Sequence, residues 1–130
     1  MSSYKTYNHT PQNDFSFLVK MGLKPHHKLL DVGCGGGRMG FQCISYLEDE
    51  NYFGFDKEEN EILRYRTAFM KDSSVSKNKN PNILIDDFLL KNIDKSAKFD
   101  FVYAYSVFTH VGPDLIGLLL SNLKQHLTFE

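Results

Sequence analysis

The chain has 130 residues, the size of one domain (1–130), and 42% of them are hydrophobic and 14% aromatic, enough to bury a core. Fifteen Lys and Arg against sixteen Asp and Glu leave a formal net charge of −1, so the totals carry no electrostatic footprint for nucleic acid. Cys34 and Cys43 form no C-x-x-C pair and no His/Cys group has zinc-ligand spacing, which argues against a metal and for reduced thiols in a cytoplasmic protein.

Met1 to Gln12 is polar and aromatic (Tyr4, Tyr7, His9) and is read as flexible or as a cover folding over a ligand. It holds no apolar signal core, and the longest greasy stretch, Leu115 to Leu120, is too short to span a bilayer. Asn13 or Asp14 is expected to cap a short helix running to Gly22, with Phe17, Leu18 and Met21 inward. Lys24, His26, His27 and Lys28 make a small basic patch, read as a solvated turn rather than a nucleic-acid contact. Leu29 to Val32 is a short buried strand, followed by the glycine cluster and a helix from about Arg38 to Leu47. Met39, Cys43, Tyr46 and Leu47 recur on that helix at sheet-facing spacing.

A second strand, Tyr52 to Phe55, ends at Asp56, and a helix from Lys57 to about Met70 buries Ile62, Tyr65, Ala68 and Phe69. Lys71 to Pro81, rich in Ser and Asn, is expected to be a flexible loop. The third strand is Ile83 to Ile85, leading into Asp86, Asp87 and Phe88. The fourth is Phe99 to Tyr105. Leu89 to Lys95 between them is either a connection or one helical turn. Gly112-Pro113-Asp114 opens a last helix with Ile116, Leu119, Leu120, Leu123 and Leu127 inward. Strands alternating with helices mean an α/β, doubly wound parallel sheet covered on both faces.

Gly33, Gly35, Gly36 and Gly37 follow the first strand directly. Glycine reaches backbone angles closed to other residues, and without a Cβ it lets a ligand touch main-chain N–H groups at a helix start. The spacing is G-x-G-x-G. The dinucleotide fingerprint G-x-G-x-x-G would need glycine where Arg38 stands, so a nicotinamide oxidoreductase fits poorly. Asp56 lies 19 residues after Gly37, where a carboxylate can accept both O–H groups of a ribose diol. Its spacing to Glu59 also fits a helix-capping box, and the two roles are compatible.

With Asp31 two places ahead of Gly33, the glycine stretch resembles motif I of the class I S-adenosylmethionine-dependent methyltransferases. Asp87-Phe88 resembles that family's adenine site, with Asp86 as a rival for the carboxylate. Phe99-Asp100-Phe101-Val102-Tyr103-Ala104-Tyr105 through Val111 resembles its fourth motif and the run after it. The resemblance spans about Phe15 to Leu127. It implies a Rossmann-like sheet, S-adenosyl-L-methionine as cofactor and transfer of a methyl group to a small-molecule acceptor. It also implies cofactor contacts at Asp31, Gly33, Cys34, Gly35, Gly37, Asp56, Asp87, Phe88, Ala104 and Tyr105, with no metal and no assigned base.

The family's sheet runs 3-2-1-4-5-7-6, and this chain supplies strands 1 to 4 in the order 3-2-1-4, without strands 5 to 7. The fourth strand is then expected at an edge. A fragment of a longer protein, a partner chain or oligomer covering that edge, and the amino-terminal segment covering it are the three readings. A cofactor-binding module or subunit without its own catalysis is the alternative function.

Overall fold

The computed structural model describes residues 10–104 and 112–128. The elements are α1 (Pro11–Lys20), β1 (Leu29–Val32), α2 (Gly40–Tyr46), β2 (Tyr52–Asp56), α3 (Glu59–Lys71), α4 (Ser73–Ser76), β3 (Asn82–Ile85), β4 (Phe101–Ala104) and α5 (Pro113–Leu123). A 3₁₀ turn, Lys124–His126, follows α5.

All strand pairs are parallel and the sheet order is β3-β2-β1-β4, as the sequence predicts. β1 lies between β2 and β4, and all four of its residues are buried. The two-residue period of a strand sends alternate side chains to opposite faces. Leu29 enters a core with Cys43, Leu47, Ile62 and Tyr65, beneath α1, α2 and α3. Leu30 and Val32 enter the other core, with Phe99, Leu119 and Leu123 against α5. Burial on both faces is why β1 is an unbroken apolar run apart from Asp31.

Several expectations change. Thr10, not Asn13 or Asp14, caps α1: its Oγ1 accepts the Asn13 N–H at 3.1 Å. Asp14 is itself buried, while Phe17 and Met21 are exposed. Gly22 does stop that helix, with φ +112° just past the Met21 cap. The Lys71 to Pro81 loop contains α4, and Val75 packs into the core. Leu120 is 53% exposed, so the inner face of α5 is set by Leu119 and Leu123. Leu89 to Lys95 forms turns with no helix. The His27 ring packs tilted against Phe101 and its Nδ1 accepts the Lys24 N–H, so the basic patch includes a structural turn.

The two sheet edges are treated differently. At β3, Arg66 donates from Nε and Nη2 to the Ile83 carbonyl, and Asn92 donates to the Ile85 carbonyl. Occupied carbonyls blunt that edge against strand pairing. The regular pairing of β4 starts at Phe101 rather than Phe99. Phe99 instead bridges in parallel to Leu127: its N–H donates to His126 O at 2.6 Å, and Thr128 N–H donates to Phe99 O at 3.1 Å. The outer side of the fourth strand is therefore not wholly bare. Residues after α5 begin to run alongside it.

Candidate functional site

The glycine cluster forms a turn at the carboxyl end of β1. Gly33 and Cys34 both donate their N–H groups to Phe55 O, at 2.9 Å each, which ties the turn to β2. Gly35 and Gly37 have φ of +57° and +91°, angles that side chains rarely allow. Gly37 also faces the Tyr65 ring, where a Cβ would approach to 2.6 Å. Asp56 closes β2 beside the turn. Its Oδ2 accepts the Gly35 N–H at 3.0 Å and its Oδ1 accepts the Glu58 N–H at 2.9 Å. The capping box with Glu59 is not formed, because α3 begins one residue after a Glu58 cap that makes no side-chain bond.

Asp31 lies at the floor of the site, 4% exposed. The Tyr52 hydroxyl donates to its Oδ2 at 2.6 Å. Burial raises Asp31 to about 7; the Tyr52 bond opposes the shift and the charge of Asp56 adds to it. Tyr52 and Tyr65 are pushed up chiefly by burial, so both remain phenols. Burial likewise pushes the thiols of Cys34 and Cys43 up and keeps them unreactive. Two glycines outside the motif make this arrangement possible. Tyr52 reaches Asp31 by lying along β2 over Gly54, where a Cβ would come within 2.7 Å of its hydroxyl. A Cβ on Gly40 would collide with the Tyr65 hydroxyl.

Above Asp31 is a cavity of about 280 Å³, lined by residues 33–36 of the turn, Arg38, Glu61, Arg64 and Tyr103. Glu61 and Arg64 pair at 2.5 Å on α3, and the Arg64 guanidinium lies over Gly36. Tyr103 is the neighbour of Asp31 on β4. Its phenol is raised by burial and by the Asp14 hydrogen bond.

Of the residues singled out in the sequence, Asp31, Gly33, Cys34 and Gly35 line this cavity. Asp56 joins them through its bond to Gly35. Gly37 turns away, onto Tyr65. Asp87 is exposed, its Oδ1 accepting the Leu89 N–H at 2.8 Å, whereas Asp86 is buried and accepts N–H groups from Asp87 and Asn92. Phe88 is half-buried against the α5 core, and Ala104 packs on that same face, beside Val32. Asp87, Phe88 and Ala104 do not line the cavity. Tyr105 lies outside the described residues. Tyr103, Glu61 and Arg64 were not predicted. Tyr103 carried a signal, since it belongs to the aromatic run from Phe99 to Tyr105.

A family model described as a methyltransferase domain matches residues 30–129. Among solved structures, magnesium protoporphyrin IX methyltransferase from Synechocystis PCC 6803, with bound SAM, superposes with a TM-score of 0.72 at 18% identity. The match covers 90% of this chain and 52% of that one. A TehB-like SAM-dependent methyltransferase from Corynebacterium glutamicum gives 0.68 at 20% identity, over 94% of this chain and 59% of that one. An S-adenosylmethionine-dependent methyltransferase from Clostridium acetobutylicum gives 0.69 at 15% identity, over 91% and 45%. At these identities the likeness is one of fold, and the chain spans about half the length of the structures it matches.

Proposed function

Since the chain belongs to the methyltransferase domain family, we propose that it binds S-adenosyl-L-methionine at the glycine turn and serves methyl transfer to a small-molecule acceptor. The observation that carries this reading is the Asp56 carboxylate held against the Gly35 N–H. Each of its oxygens takes one N–H and keeps a second lone pair, and these suit the two O–H donors of a ribose diol. The fit is further supported by the turn itself, where Gly33 and Gly35 line the cavity with φ of +70° and +57°, angles that side chains rarely allow.

Bound there, the cofactor supplies a sulfonium methyl already activated for attack. The chain's own task is to bind and orient it. Asp56 takes the sugar, the main chain of Gly33, Cys34, Gly35 and Gly37 shapes the turn, and Asp31 sets the floor. The exposed Asp87 and the Phe88 N–H are assigned to the adenine, and Ala104 and Tyr105 to the methionine part, on the strength of the family resemblance. Orientation of this kind contributes up to roughly 7–11 kcal/mol in favourable reactions. No residue is assigned as a base.

Among the described residues no helix is long and apolar enough to cross a membrane. A cytoplasmic setting is part of the proposal, supported by two buried, unpaired thiols. A second reading is a cofactor-binding module without turnover, in which the Asp56 carboxylate and the glycine turn hold the cofactor or its product. Turnover of any acceptor would exclude it.

The test is a calorimetric titration with S-adenosylhomocysteine and, separately, with NAD. The first should bind and the second should not. Asp56→Ala should weaken binding about tenfold or more, one decade corresponding to about 1.4 kcal/mol. An unchanged affinity would refute the sugar assignment.

A further inference from the structure

Helix α1 precedes the stretch matched by the family model, yet it supplies a buried carboxylate that bonds two residues of the cavity wall. Asp14 is 2% exposed. Its Oδ2 accepts from Arg38 Nη1 at 3.0 Å and from the Tyr103 hydroxyl at 2.9 Å. Those donors stand 24 and 89 positions away in the chain, and both line the cavity. The Arg38 side chain is 41% exposed, whereas its Asp14 anchor is buried. A guanidinium carries five N–H donors in a rigid fork, and fixing one of its nitrogens orients the rest.

The strand order supplies a direction. Asp56 on β2 and Tyr103 on β4 flank β1 from its two sides. A ligand with its sugar at Asp56, running across the turn, therefore ends on the side of Arg38 and Tyr103. We propose that Asp14 is a positioning residue of this site, holding the Arg38 guanidinium where the carboxylate of the cofactor's amino-acid tail arrives, and the Tyr103 hydroxyl, whose proton it takes, as an acceptor for the ammonium of that tail. This rests on the cofactor reading above. It gives α1 a role in ligand binding as well as in packing.

Two ligands separate that role from a purely architectural one. S-adenosylhomocysteine carries the amino-acid tail, and 5′-methylthioadenosine has the same nucleoside and thioether without it. Affinities are measured for both, by calorimetry or competition, on the wild-type chain, Asp14→Asn, Arg38→Gln and the double variant. Asp14→Asn should weaken S-adenosylhomocysteine about tenfold and leave methylthioadenosine within about twofold. The double variant should lose less than the product of the two single effects, because Asp14 acts in part through Arg38. Equal weakening of both ligands, or additive effects in the double variant, would overturn the proposal, as would an unchanged Asp14→Asn. If Asp14→Asn does not fold, Tyr103→Phe takes its place, with a loss of about threefold expected for S-adenosylhomocysteine alone. A loss shared by both ligands, or none, would again overturn it. Failure of the wild-type chain to bind either ligand would remove the cofactor reading too, whereas wild-type binding with insensitive variants removes only this one.

Discussion

Asp31 is a carboxylate kept in a place that costs stability. The Tyr52 hydroxyl donates to it, and burial raises it from 3.8 to about 7. Between those values the folded chain holds a proton that the unfolded chain has released. Its contribution is therefore fully present at the acid end and is lost as the pH rises toward 7. Asp31→Asn keeps an acceptor for the Tyr52 hydroxyl and carries no charge. The melting temperature of this variant should exceed that of the wild type by a margin that grows from about pH 4 to 7 and then levels off. A margin that is constant with pH, or that shrinks, would contradict the assignment of Asp31 as a strongly desolvated group. The same substitution should weaken cofactor binding, the exchange expected where a site stores an unfavourable charge. At this scale the sequence was informative about groups adjacent in the chain. Asp31 and the glycines were legible because a strand end followed by a turn is a local pattern. The bonds from Asp14 to Arg38 and Tyr103 were not, since nothing local marks a pairing across 89 positions.

Among elements, the strands were read best. β1 was placed to the residue, and β2 and β3 to within one, because short apolar runs bounded by turns leave little freedom. The helices were placed less well. Thr10 outcompeted Asn13 and Asp14 as a cap, and a four-residue helix formed in a segment whose composition reads as loop. Gly54 shows what sequence patterning misses. Within β2 it looks like a weak point, yet it provides the space in which Tyr52 reaches Asp31. Gly54→Ala should destabilise the chain by roughly 1–3 kcal/mol in chemical denaturation, as overpacking does. A variant as stable as the wild type would show that Tyr52 can reach Asp31 another way. Helix α5 offers a matched pair. Leu119→Ala should cost roughly 2–5 kcal/mol, since Leu119 is 1% exposed. Leu120→Ser should stay within about 0.5 kcal/mol, since Leu120 is 53% exposed. Equal costs would mean that α5 packs in a different rotation.

For the molecule as a whole, the alternation of elements made a parallel sheet legible, and the family resemblance supplied its order β3-β2-β1-β4. What alternation does not show is how each edge ends. Arg66 and Asn92 occupy the carbonyls of β3, while residues 126–128 begin to line β4 at Phe99. In the proposed reading the order matters because it sets Asp56 and Tyr103 on opposite sides of the glycine turn, where one cofactor would reach both. The account's central claim is that exposed main chain at the end of β1 receives the adenosyl group, with the neighbouring carboxylate on its sugar. Amide NMR of the full chain during titration with S-adenosylhomocysteine tests this most directly. Saturable shifts should concentrate at Gly33, Cys34, Gly35, Phe88 and the residue after Asp56, Lys57, with the amides of α5 unmoved. Shifts centred elsewhere, or none at saturating ligand, would contradict it.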